Sequence, residues 1–182
     1  LYSIWLFDQN NKTDLSKGLI TKWLKYMEQK GTHKPTGLYK TEVLGTRKYS
    51  NQPRGCSLSY LVHYMGRFAP CEAKKQWELY KKHMMTSIMG KKGFREYLPN
   101  YDGSWTPDSG PIIYGVGIAA TGLALNTAST IGDKKTYKAL EKSMNPVYSI
   151  LSKGNGIPGV AMLSRIGTDL LSSAIWLNAE TK

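Results

Sequence analysis

Only two cysteines, three histidines and five arginines occur in 182 residues, and no apolar run reaches 18. Each shortage removes a class of explanation. The histidines, His33, His63 and His83, do not have the spacing of a metal site. The cysteines, Cys56 and Cys71, would stand about 22 Å apart on one straight helix, far beyond disulfide reach. They meet only if the chain reverses between them, and Pro70 is the place for such a break; otherwise they are free, buried thiols. Their number leaves the redox compartment open. Without 18 consecutive apolar residues no membrane span is expected; Ile112 to Leu125 reads as a buried core helix. The Leu1–Phe7 opening lacks the basic start and cleavage site of a signal peptide.

What is plentiful is lysine. The net charge is +12, from 25 Lys+Arg against 13 Asp+Glu. Readers of nucleic acid lean on arginine for bidentate contacts, and here the excess is lysine at helical spacings. A lysine-rich solvated surface is expected, not a nucleic-acid interface. Hydrophobic residues make up 41%, an ordinary globular share.

Apolar spacing predicts helices. Leu15, Leu19, Ile20, Trp23, Leu24 and Met27 share one face, with Thr13 or Asp14 as cap and Gly31 as stop. After a long connector, Thr32 to Gln52, a second helix follows Pro53-Arg54-Gly55 and ends at Ala69-Pro70. A third runs from Cys71 to Met89, forming an αα-hairpin with it. A glycine-rich helix is expected from Gly110-Pro111 to Ile131, with Gly132-Asp133 as stop and new cap. The next stripe, Tyr137 to Leu151, carries Pro146 as a kink or break, and a last helix covers Val160 to Leu177. Six helices in hairpin order, with little strand, give an all-α fold class over residues 1–182 as a single helical domain.

The chemistry concentrates in one loop. Asp102 and Asp108 are candidate catalytic carboxylates for acid/base work. Tyr97, Tyr101 and Trp105 offer aromatic faces to a sugar; Arg54 and Ser109 complete the candidate binding set. The competing reading makes Asp102-Gly103 a turn, and makes Asp108 with Ser109 the cap of a helix beginning near Pro111. Gly115-Val116-Gly117-Ile118-Ala119-Ala120 matches a dinucleotide fingerprint, but no βαβ pattern surrounds it, so its small residues read as helix packing. No cofactor and no metal are expected.

Scattered positions carry a family resemblance. They are Pro53-Arg54-Gly55, Ser57, Asp108-Ser109-Gly110-Pro111, Gly115, Gly117, Ala120-Thr121-Gly122 and Gly132-Asp133. The chain resembles helical-hairpin toroid proteins, both the linalool dehydratase-isomerase-like domains and the six-hairpin group of glycosidases and lyases. This implies antiparallel helical hairpins in a partial (α/α) toroid, with about half the helices of a complete one. It also implies a partner subunit or further N-terminal helices, and an extracytoplasmic setting. No family catalytic residue transfers by position. The expected function is enzymatic processing of a glycan or polar small molecule. The alternatives are a non-catalytic binding or scaffolding domain, and isoprenoid-type dehydration or isomerisation drawing on Cys56 and His63.

Overall fold

The computed structural model describes residues 1–44, 48–49, 52–101, 103 and 106–152. The elements are α1 (Tyr2–Asn11), α2 (Ser16–Tyr26), a π-turn (Met27–Gly31), β1 (Val43–Leu44), β2 (Lys48–Tyr49), α3 (Gly55–Phe68) and α4 (Pro70–Met84). They continue with β3 (Met85–Ile88), β4 (Lys91–Phe94), β5 (Ile112–Ile113), β6 (Val116–Gly117), α5 (Ile118–Ile131) and α6 (Lys134–Ser152). The chain is mostly helical, as its periodicity predicts. It is not all-α: three two-stranded antiparallel sheets, β1–β2, β3–β4 and β5–β6, join the helices.

Two of these hairpins correct the predicted helix bounds. The third helix stops at Met84, and the chain reverses through Met89-Gly90. The glycine-rich helix begins only at Ile118, because Ile112 to Gly117 folds back through Tyr114-Gly115. In both turns the two central residues have positive φ: 48° and 77° at Met89 and Gly90, 48° and 81° at Tyr114 and Gly115. That is the type I′ geometry of two-residue hairpins, which normally announces itself as Asn-Gly or Asp-Gly. Here Met and Tyr hold the first position, so the signal was missed. Gly115, in the turn, and Gly117, in β6, therefore belong to a hairpin and do not extend the small-residue helix face.

The packing role of the small residues survives within α5. Ala120, Ala124 and Ala128 are fully buried, and Thr127 Oγ1 donates to the Ser59 carbonyl of α3 at 2.7 Å. Close contact needs small side chains on both helices: a Cβ on Gly66 of α3 would come within 2.8 Å of Thr130 Cγ2. The αα-hairpin is present, with Ala69 alone between α3 and α4 and proline at the first position of α4. Beneath it Trp77, Tyr80 and Phe94 form an aromatic core, with the Tyr80 and Phe94 rings stacked at 4.3 Å.

Other expectations need adjustment. The cap of α2 is neither Thr13 nor Asp14. Asp8, buried at the end of α1, accepts from the amides of Leu15 (3.0 Å) and Ser16 (2.7 Å). Burial opposes its charge, but the Ser16 and Thr13 hydroxyls and those two amides hold its carboxyl well below the usual range. α6 continues through Pro146 without a break. Cys71 is exposed; Cys56 is buried, and both are free. The predicted helix over 160–177 lies outside the described residues.

Asp133 acts as cap, and does more. Gly132 ends α5 in the left-handed conformation at φ 80°. Asp133 then accepts from Thr136 N (3.0 Å), Trp77 Nε1 (3.0 Å) and Lys81 Nζ (2.7 Å), tying α6 to the aromatic core of α4. Burial works against its ionisation, yet the Lys81 and Thr136 bonds hold its pKa below the ordinary value. Removing it strips a cap and leaves the indole N–H of Trp77 unsatisfied. Asp133→Ala is expected to cost about 2–4 kcal/mol in urea unfolding. Because the folded-state pKa is depressed, this contribution is complete above the unfolded carboxylate pKa and fades as pH falls below it. The gap between wild type and variant should therefore narrow in acid.

Candidate functional site

The site begins at Arg54, which precedes α3 in an extended conformation (φ −110°, ψ 143°). The next residue has to be glycine for steric reasons: a Cβ at Gly55 would run into the Arg95 carbonyl, and the Gly55 amide donates to Glu96 O at 2.8 Å. This close approach sets the start of α3 directly against the strand leaving β4. The Arg95–Val116 bridge and the bond from Glu96 N to Gly115 O (3.1 Å) then fasten the β5–β6 turn beside it.

Four segments distant in sequence meet on the Arg54 guanidinium. Nε donates to Glu96 Oε1 at 3.0 Å. Nη1 reaches Glu42 Oε1 at 2.6 Å and Asp108 Oδ2 at 3.2 Å. Nη2 donates to Thr106 Oγ1 at 2.8 Å. The guanidinium carbon also lies 5.7 Å from the centre of the Tyr97 ring. Burial works against the charge on Arg54, but the Glu42 bond and the neighbouring Glu96 and Glu42 charges more than offset it, so its pKa is raised. It remains a cation at any working pH.

Glu96 is the buried partner, with no solvent exposure. Its Oε2 accepts from the Cys56 amide at 3.1 Å, and its Oε1 accepts from the Cys56 thiol, also at 3.1 Å. Burial raises its pKa, and Cys56 and Arg54 only partly offset this. The Cys56 thiol is itself pushed up to about 12, first by burial and then by the Glu96 charge. At neutral pH it is therefore a hydrogen-bond donor and not a thiolate nucleophile.

Asp108 sits in the opposite environment. Its side chain is 62% exposed. The Thr106 hydroxyl lowers its pKa against a small burial effect, and Arg54 lowers it further. The two carboxylates flank one thiol: Cys56 Sγ is 3.1 Å from Glu96 and 4.0 Å from Asp108. One is shielded, its oxygens filled by Arg54 and Cys56; the other faces solvent beside Arg54 and Thr106. Glu96 has no solvent exposure, so of the two carboxylates Asp108 is the one open to a solvent-borne ligand.

Among the residues singled out by sequence, Arg54, Tyr97 and Asp108 come together. Tyr101 is exposed in the same loop, with its amide bonded to Leu98 O. Ser109 is fully buried, and its hydroxyl is spent on the loop: it accepts from Thr106 N at 3.0 Å and donates to Thr106 O at 2.9 Å. Asp108 and Ser109 cap no helix, since α5 starts at Ile118. Asp102 and Trp105 lie outside the described residues. His63 lies two turns along α3 from Cys56, with Nδ1 bonded to Thr130 Oγ1 at 2.8 Å. Glu96, Glu42 and Thr106 were not singled out by sequence. A lone Glu in a Gly-Phe-Arg-Glu-Tyr run has no local mark of burial, and Glu42 is only one polar residue in a long connector.

Among the described residues no group of three or more His, Cys, Asp or Glu side chains is placed to hold a metal ion. Nor, among them, is any helix long and apolar enough to cross a membrane. No family model, curated protein or solved structure matches the chain.

Two outcomes follow from this geometry. A thiol reagent at pH 8 should modify one cysteine, Cys71, in the native protein and both in denaturant; fast modification of both without unfolding would contradict the buried thiol. Arg54→Ala leaves Glu96 buried without its counter-charge and is expected to cost about 3–5 kcal/mol. Glu96 then binds a proton more tightly folded than unfolded, so the variant's deficit should grow as pH rises above the unfolded carboxylate pKa. Urea titrations at several pH values measure it.

Proposed function

We propose that this chain processes a glycan or related polar small molecule by acid/base chemistry, at the mouth formed by Asp108, Arg54 and Tyr97. One observation carries the reading. A single guanidinium organises two carboxylates whose environments push their pKa values apart, Glu96 up and Asp108 down. The buried Glu96 anchors Arg54, and Arg54 in turn holds the exposed Asp108 ionised, as a base or hydroxyl acceptor must be. In this reading Asp108 is the ionised carboxylate that accepts a hydroxyl proton or hydrogen bond from the ligand. Tyr97 and Tyr101 offer apolar ring faces. Arg54 is the positioning residue for Asp108, while Glu96 sits behind it out of ligand reach.

The helical hairpins, α3 with α4 and α5 with α6, are compatible with a portion of an (α/α) toroid. On that reading the remaining helices come from further chain or from a partner subunit. A binding or scaffolding domain is the second reading. It is favoured by the exposed apolar side chains Leu6, Phe7, Leu15 and Leu19 along α1 and before and within α2.

Asp108→Asn tests the first reading. The residue is exposed, so melting temperature should change little. Turnover of a glycan found by substrate screening should fall about a hundredfold or more. If turnover and ligand affinity both stayed at wild-type values, Asp108 would have no part in the chemistry.

A further inference from the structure

A second cleft lies away from Arg54, where the π-turn after α2 meets α4. Its volume is about 580 Å³, within the range of small-molecule sites. The floor is Leu24, Leu79, Gly37 and the buried Tyr39. The polar groups behind that floor are already satisfied. Gln76 accepts from Tyr39 N at 3.0 Å and donates to Gly37 O at 3.1 Å, and Tyr39 Oη donates to Glu72 at 2.9 Å. The floor therefore asks a ligand for apolar surface and not for hydrogen bonds.

The rim carries charges of both signs. Lys75 and Glu72 are within 3.4 Å of each other. Lys25 and Glu28 also line the cleft, at a spacing that often gives a helical ion pair. Among the described residues neither makes one. The π-turn that begins at Met27 falls between them, and Thr32 Oγ1 holds it by donating to Met27 O at 2.8 Å. Such π segments recur at functional sites, where they redirect side chains. The four rim charges sum to zero in a chain whose net charge is +12. A ligand with a single charge would meet as much repulsion as attraction there, whereas a ligand with both charges could use both unpaired groups.

We infer that this cleft binds a small zwitterion with an aliphatic body, of the free α-amino-acid class. Its carboxylate faces Lys25, its ammonium faces Glu28, and its side chain lies on Leu24 and Leu79. This site is independent of the one at Arg54.

The test is titration calorimetry with leucine, its amide (cation only) and 4-methylpentanoate (anion only), paired with NMR shift mapping. Leucine should bind at least about tenfold more tightly than either analogue and shift signals of Tyr39 and Leu79. Lys25→Met and Glu28→Gln, both surface changes, should each abolish that advantage while melting temperature and circular dichroism are retained. Three results would overturn the inference: no leucine binding at millimolar concentration, equal binding of the singly charged analogues, or shifts confined to residues outside the cleft.

Discussion

The pairing of Arg54 with Glu96 is the constraint on which the site and its surroundings depend. A carboxylate with no solvent exposure is tolerable only if its charge is matched and its oxygens are filled. Here Arg54 Nε, the Cys56 amide and the Cys56 thiol fill them. The same guanidinium then has nitrogens left for Glu42 and for the Thr106–Asp108 loop. One buried pair thus fixes the positions of the connector, the start of α3, the exit from β4 and the loop before β5. Hydrophobic packing is non-directional and could not set these orientations. Replacing the pair by apolar residues would fill the space and leave the loop without an anchor.

The core beneath explains why the pair sits where it does. Tyr80 Oη donates to the Gly55 carbonyl at 2.9 Å and lies 3.0 Å from Ser59 Oγ, which in turn bonds Ala120 O. The aromatic stack of α4 with Phe94 therefore meets the first turn of α3 through hydrogen bonds as well as contact area. On the far side Asp133 repeats the device, joining Lys81 and Trp77 of α4 to the first turn of α6. Tyr80, Trp77 and Lys81 of α4 are thus tied by hydrogen bonds to α3 and to Asp133, and the α3–α5 contact relies on small side chains.

The long connector also gains a physical account. Its residues face two places in turn: Tyr39 against Gln76 and Glu72 at the second cleft, then Thr41 and Glu42 on Arg54. Only Lys40 separates these anchors, and its amide is bonded to Gly31 O at the end of the π-turn. The middle of the connector, residues 39–42, is thereby fixed by side-chain bonds on two sides.

Much of the helical plan was legible in the sequence. The stripes of α2, α3 and α4, the break at Ala69-Pro70 and the Gly132-Asp133 junction are local signals, set by 3.6-residue periodicity and by capping chemistry over a few residues. Tyr97 and Asp108 also stand out in the sequence, in a loop rich in acids and aromatics, and the fold brings both to Arg54. The hairpins at Met89-Gly90 and Tyr114-Gly115 were not legible. Their positive-φ positions carry Met and Tyr, and their short strands gain stability from packing rather than from intrinsic preference. Glu96 was hidden for a deeper reason. Whether a glutamate is a solvated surface group or a buried anchor depends on what faces it, and Arg54 and Cys56 lie some forty positions away in the chain. The residue types and helix phases came from sequence; the meeting of four segments on one guanidinium exists only once the chain is folded, because charge pairing acts through space and leaves no trace in local order.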